Sequence, residues 1–266
     1  IHVQEDEEYD ICNKLSLLPE NGTITVRDLT YSYSGAERDY AIKNLSLDIP
    51  EGKVTAIVGE SGSGKTTLIK LLQGFYKPNS GTIKVGGISL DCINPHLWRK
   101  STGSVMQESY IFSDTIAKNI ALSTDEVDVK RLYDSALLAN ADEFISALPL
   151  GYNTRIGMEG SGVSQGQRQR LLIARAIYKN PKYLFFDEAT NSLDATNERI
   201  IMENLQKIFQ NRTVVIAAHR LSTVMNADNI VVMKKGEIVE QGTHSELVAL
   251  RGHYYTLVKN QLELGK

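Results

Sequence analysis

The sequence predicts an α/β fold: a mostly parallel sheet covered by helices, with an antiparallel β edge at its start and a helical insertion in its middle. Three observations predict it. Short runs of alternating apolarity, closed by turn residues, fill the chain from Thr23 to about Gly87. From about Ile111 to Tyr178 no run reads as a convincing strand, and apolar residues recur at helical spacing. After Tyr178, nearly all-apolar, β-branched runs alternate with an amphipathic helix, as parallel strands buried on both faces require.

Taken in order, Thr23–Arg27 and Leu45–Ile49 alternate in apolarity, and the second is closed by Pro50-Glu51-Gly52, so both read as antiparallel strands. Val54–Val58 is almost wholly apolar and reads as a buried strand. Thr66–Gln73 reads as a helix ended by Gly74, and Thr82–Val85 as a strand running into the Gly86-Gly87 turn. Val129, Leu132, Tyr133 and Ala136 mark one helix of the insertion, and Leu171, Leu172, Arg175, Ile177 and Tyr178 mark another. Lys182–Phe186, Thr213–Ala217 and Asn229–Met233 are buried strands, and Ile200, Ile201, Leu205, Ile208 and Phe209 lie on one helix face.

Composition bounds the function. Of 266 residues, 42% are hydrophobic and 23% charged, which excludes collagen, coiled coil and disorder. Lys+Arg number 29 against Asp+Glu 32, a net charge of −3, which argues against a nucleic-acid partner bound through a basic surface. The longest apolar runs, Val54–Val58 and Tyr183–Phe186, are far shorter than the ~18 residues of a membrane span. Two cysteines, Cys12 and Cys92, make no disulfide framework and suit a reducing compartment. No signal peptide is visible, and a start at Ile1 rather than Met reads as a fragment. Residues 1–22, with the acidic run Glu5 to Glu8, read as a linker or an arm. Residues 23–266 read as one domain with its helical insertion over about 109–178.

Gly59-Glu60-Ser61-Gly62-Ser63-Gly64-Lys65-Thr66 fits G-x-x-x-x-G-K-[ST], between a buried strand and a helix. Glycines let the backbone curl so that N–H groups converge on a phosphate, and the helix start adds a favourable dipole. Lys65 is expected to reach the β- and γ-phosphates and the Thr66 hydroxyl to bind Mg²⁺. A turn that merely capped a helix would need no lysine. Tyr183–Phe186 is followed by Asp187 and Glu188, two acids expected at the carboxyl edge of the sheet, where open α/β sheets bind ligands. Asp187 is then the Mg²⁺-linked acid, acting through water, and Glu188 the group that polarises the attacking water. His219 closes another apolar strand, Val214 to Ala218, and is expected to meet the γ-phosphate.

Val163-Ser164-Gln165-Gly166-Gln167-Arg168-Gln169-Arg170 opens a basic amphipathic helix just upstream of Asp187. With this segment the constellation resembles the nucleotide-binding domain of an ABC transporter, over about Thr23 to the C-terminus and with the motifs in the family's order. The resemblance implies a P-loop (RecA-like) NTPase core, ATP and Mg²⁺ as cofactors, and the reaction ATP + H₂O → ADP + phosphate. It implies that Gly59, Ser61, Gly62, Ser63, Gly64, Lys65, Thr66 and Thr67 hold the nucleotide, with Thr66, Gln107 and Asp187 organising the metal. Tyr33 matches the aromatic that stacks on adenine, although Tyr31 could serve instead. Gln107 matches the glutamine that joins metal and attacking water to the transmembrane partner. Lys65, Gln107, Glu188 and His219 form the implied catalytic set.

Ser164, Gly166 and Gln167 match the signature segment that covers ATP on a second such domain, and Ser192-Leu193-Asp194 the loop crossing that head-to-tail dimer. Gln165 stands where the family has a glycine and Val163 where it has leucine. Gln165 either weakens the sandwich by its bulk or adds a hydrogen bond. Phe112–Ile120, Thr154–Gly160 and Gln241–Leu247 resemble the exporter branch, although Met158 stands in a usually acidic place. Ser161–Asp194 is similar in wording to bacterial exporters of peptides that carry an upstream peptidase. A lipid or drug exporter is the alternative, and a non-transport ATPase a remoter one, for which no coiled-coil insertion or second copy is present. The implied partners are a transmembrane domain in the same full-length chain, a second nucleotide-binding domain and no nucleic acid. The implied place is the cytoplasmic face of a membrane.

Overall fold

In the computed structural model, the described residues are 15–33, 40–122, 126–157, 162–187, 195–218 and 224–264. The chain divides into two units, one made of Ile1–Thr102 with Asn211–Lys266 and the other of Gly103–Gln210.

The first unit opens with β1 (Ile24–Tyr31) and β2 (Ile42–Ile49), followed by β3 (Val54–Val58), α1 (Lys65–Leu72), β4 (Ser80–Val85), β5 (Ile88–Ser89) and α2 (Pro95–Ser101). Four of these strands form an antiparallel sheet in the order β2-β1-β4-β5. Along β1 the buried residues are Ile24, Val26, Leu29 and Tyr31, so the alternation slips by one between Val26 and Leu29. The slip is a bulge at Asp28, whose φ is +50° and whose N–H donates to Ser46 Oγ at 2.9 Å. Within the span expected to be a linker, Leu15 is tied into this unit. Its N–H donates to Cys92 O at 2.9 Å and its carbonyl accepts from Asn94 N at 3.1 Å.

The second unit holds β6 (Thr102–Val105) from Gly103 onward, β7 (Asp114–Thr115), α3 (Ile116–Ala121), α4 (Val129–Leu138), α5 (Asp142–Ser146), β8 (Arg155–Ile156), α6 (Gln165–Tyr178), β9 (Tyr183–Asp187) and α7 (Ala195–Phe209). Leu132 and Ala136 of α4 and Leu171, Leu172 and Ile173 of α6 are buried where these two helices pack together, and β9 is buried along its whole length. The helical stretch is less purely helical than its sequence suggests. Asp114 and Thr115 pair antiparallel with Ile156 and Arg155, a ladder too short to leave a periodic trace.

The chain then returns to the first unit with β10 (Thr213–Ala217), β11 (Asn229–Lys234), β12 (Glu237–Gly242), α8 (His244–Leu250) and α9 (His253–Leu264). In this unit the strands run in the order β12-β11-β3-β10. β10 and β11 are parallel to β3, with Val214 opposite Val54 and Asn229 opposite Thr55, while β12 turns back antiparallel on β11. β3 is therefore central, and Thr55, Ala56 and Ile57 are fully buried. Its carboxyl end delivers the chain into Gly59.

One expectation about partners is corrected. The sequence resemblance implies a transmembrane domain in the same full-length chain, but no helix among the described residues is long and apolar enough to cross a membrane. The longest, α7, has 15 residues and only one apolar face, against the ~20 predominantly apolar residues a span needs. These residues do not supply the membrane-spanning partner.

Candidate functional site

The loop between β3 and α1 is built on two glycines that no other residue could replace without strain. Gly59 has φ +154°, and a side chain there would run into the Met233 carbonyl. Gly64 has φ +103°, and a Cβ there would lie 2.6 Å from Ala41 O. The loop is tightened by Ser63 N donating to Glu60 O at 3.2 Å and anchored by Gly236 N donating to Ser63 O at 3.0 Å. Lys65 is buried, at 5% exposure. Its ammonium donates to Gly59 O at 2.8 Å and Glu60 O at 3.0 Å, so the charge is held against the loop itself.

Helix α1 starts at Gly64 with no side-chain cap and no acid in its first turn. Its leading N–H groups and the positive end of its dipole are therefore left to an anion. Ser63 Oγ is buried with no hydrogen-bond partner, an orphaned polar atom inside the loop. These three features fit a nucleotide phosphate. Ser61 and Gly62 are exposed, Thr66 is half-buried, and Thr67 is buried with its Oγ1 3.0 Å from the Tyr33 hydroxyl. Of the two tyrosines the sequence leaves open, Tyr31 is 8% exposed and Tyr33 59%. Tyr33 is thus much the more exposed of the two. Burial, then the nearby Tyr33 and Tyr76 phenols, push the Tyr31 hydroxyl above its ordinary pKa.

In the second unit, Asp187 ends β9 at 1% exposure. Gln107 is exposed in the turn after β6, where Met106 N donates to Ser109 Oγ at 2.9 Å and Ser109 N returns to Met106 O at 3.0 Å. Ser164 caps α6 reciprocally: Gln167 N donates to Ser164 Oγ at 3.2 Å and Ser164 N to Gln167 Oε1 at 2.8 Å. Gln167, expected only as a nucleotide contact, thus also closes its own helix start. Gln165 is exposed and Gly166 half-buried. Glu188, His219, Ser192, Leu193 and Asp194, together with Met158, Gly160 and Ser161, lie outside the described residues.

Two arginines that the sequence reading left without a role join α6 to the segment after Gln107. Arg168 Nη2 donates to Ser109 O at 2.7 Å. Arg175 donates to Tyr110 O at 2.6 Å and Asn119 O at 2.7 Å, and its guanidinium lies 5.4 Å from the centre of the Phe112 ring. Burial, and then the charge of Arg168, lower the Arg175 pKa to about 10. Both face other elements from a helix whose charge reads as surface charge, and only the contacts reveal them.

Among the described residues no group of three or more His, Cys, Asp and Glu side chains could hold a metal.

A buried strand, a glycine loop with its lysine folded inward and an uncapped helix define a P-loop nucleotide-binding domain. The ABC transporter family model matches residues 42–191, more than half of the chain. The chain is 48% identical over 251 residues to the leukotoxin translocation ATP-binding protein LktB of Mannheimia haemolytica, and equally to that of Bibersteinia trehalosi. The match covers 94% of this chain and 35% of those relatives, so the chain spans about a third of their length. Among solved structures, a bacterial Atm1-family ABC exporter with ATP bound aligns with TM-score 0.88 and 35% identity, over 94% of this chain and 43% of that one. The chain belongs to the ABC transporter family, as its ATP-binding ATPase domain, with a P-loop α/β core, an antiparallel β part and helical insertions.

Proposed function

We propose that this domain hydrolyses ATP to drive export of a polypeptide through a membrane transporter, at the cytoplasmic face of the membrane. The observation that carries the ATPase part is the inward-held Lys65 beside an uncapped α1. Export of a polypeptide is supported by 48% identity to a protein named for leukotoxin translocation. The likeness of Ser161–Asp194 to peptidase-bearing peptide exporters agrees with it.

Phosphates are received by the amides of Gly59 to Gly64 and by Lys65, and the base by Tyr33. Thr66, Gln107 and Asp187 would hold Mg²⁺, which when bound supplies positive charge to neutralise the phosphates. Glu188 takes a proton from the attacking water, and His219 donates to the γ-phosphate. Two copies meet head to tail, so that Ser164 and Gly166 of one close over the nucleotide of the other. The helical insertion, about 109–178, carries that covering surface.

Steady-state ATP turnover tests this. Removing a general base costs roughly 10²–10⁴-fold. Glu188→Gln should lose turnover in that range while keeping ATP binding, and should sediment as a dimer with ATP. Turnover equal to wild type would overturn the assignment of Glu188. The polypeptide assignment is tested separately, by whether a polypeptide accumulates outside vesicles only when this domain is active with its membrane partner.

A further inference from the structure

Three tyrosines gather beside α1. Tyr31, at the end of β1, stacks on Tyr76, just beyond α1, with ring centres 5.4 Å apart and planes 20° apart. Tyr33 meets both edge-on, at 5.1 Å and 81° from Tyr31 and at 5.6 Å and 84° from Tyr76. Its hydroxyl shares a 3.0 Å hydrogen bond with Thr67 Oγ1. Thr67 directly follows Thr66 of the phosphate loop. An exposed aromatic ring is therefore tethered to the first turn of the helix that receives phosphate.

An exposed tyrosine ordinarily samples several rotamers, and a ligand that stacks on it must order it. Here the ring is held by two aromatic contacts of the favoured T-shaped geometry, and at its tip by a hydrogen bond. Tyr31 is buried and fixed by β1. Tyr76 is half-buried and bears on both other rings, so it supports Tyr33 directly and also through Tyr31.

We infer that Tyr76 is a positioning residue for base binding: it holds the Tyr33 ring in the orientation that receives the nucleotide base, without touching the phosphates. The inference rests on Tyr33 as the base-stacking residue. It predicts a defect selective for ligands that carry a base.

The test is titration calorimetry with ADP and with inorganic triphosphate on wild type, Tyr33→Leu, Tyr76→Leu, Tyr76→Met and Tyr76→Phe. An edge-on aromatic pair corresponds to about three- to tenfold in affinity. Tyr76→Leu and Tyr76→Met should weaken ADP by that factor and leave triphosphate within twofold of wild type. Tyr76→Phe, which keeps the ring, should restore ADP affinity. Equal weakening of both ligands would make Tyr76 merely structural and overturn the inference. Unchanged ADP affinity in Tyr76→Leu, with a loss in Tyr33→Leu, would overturn it while sparing the role of Tyr33. Unchanged ADP affinity in Tyr33→Leu would instead refute the underlying reading of Tyr33, and the inference with it.

Discussion

Helices α1 and α6 begin in opposite ways, although sequence reading assigns both starts to the same ligand. α1 begins at a left-handed glycine with no side-chain cap. α6 begins at Ser164, in a capping box in which serine and Gln167 satisfy each other's backbone donors. The first arrangement leaves backbone donors for a phosphate and holds its shape through glycine geometry and Lys65. The second is complete without a ligand. A hydroxyl that accepts from a backbone N–H still carries its own O–H. Ser164 can therefore hold its helix and donate outward at once. The difference separates a start built to receive an anion from one built to be presented ready-made.

Glycine-to-alanine changes should separate the two starts most visibly. At Gly64 an alanine must adopt φ +103° with its methyl 2.6 Å from Ala41 O. Backbone strain of this kind costs of order 1–3 kcal/mol, and about 1 kcal/mol moves the melting temperature by ~2–4 °C in a chain of this size class. Gly64→Ala should melt lower by several degrees and bind ATP more weakly. Gly166 lies within α6 and has no positive φ. Gly166→Ala should gain about 0.5–1 kcal/mol of helix propensity and melt higher. A lower melting temperature for Gly166→Ala would mean that the two starts share a constraint.

At Ser164 the expected effect is smaller. Replacing a serine N-cap by alanine costs about 1 kcal/mol, whereas glycine costs only a few tenths. Ser164→Ala should therefore lower the melting temperature more than Ser164→Gly. Both should reduce ATP-dependent dimerisation equally if the hydroxyl itself reaches the second nucleotide. Dimerisation that follows melting temperature instead of the hydroxyl would make Ser164 a cap and nothing more.

How much of this was legible depends on how local the signal is. The phosphate loop is eight adjacent residues after an apolar strand, so its chemistry and its place are read together. The choice between Tyr31 and Tyr33 was not legible, because it turns on a phase. The bulge at Asp28 shifts the buried face of β1 from Ile24 and Val26 to Leu29 and Tyr31. Strict alternation would have put Tyr31 outside. The pairing of β7 with β8, the grip of Arg168 and Arg175 on the segment after Gln107, and the support of Tyr33 by Tyr76 all join residues distant in sequence. No window contains them. β12 went unread because its face is half-buried and charged. The helix after it carried a capping signature, Thr243 with Glu246, of the same form as Ser164 with Gln167.

That third start supplies the smallest expected effect and the most selective one. α8 repeats the box of α6 with a carboxylate in place of an amide. Thr243 N–H and the Thr243 hydroxyl both donate to Glu246 Oε2, at 2.8 and 2.9 Å. The bond from the backbone N–H, and then that from the hydroxyl, hold the Glu246 carboxyl below its ordinary value of 4.5. A carboxyl depressed by folding contributes stability that is present above its unfolded pKa and is lost as pH falls through the folded pKa. The α8 box should loosen below about pH 4.5, while the Ser164–Gln167 box, having no titrating group, should not. Amide exchange at Thr243 and Glu246, compared with Ser164 and Gln167 between pH 6 and 3 after correction for intrinsic rates, should lose protection only at α8. Glu246→Gln should remove that difference by making the two boxes chemically alike. A parallel loss at both starts would show that acid acts on the whole molecule and not on this carboxylate.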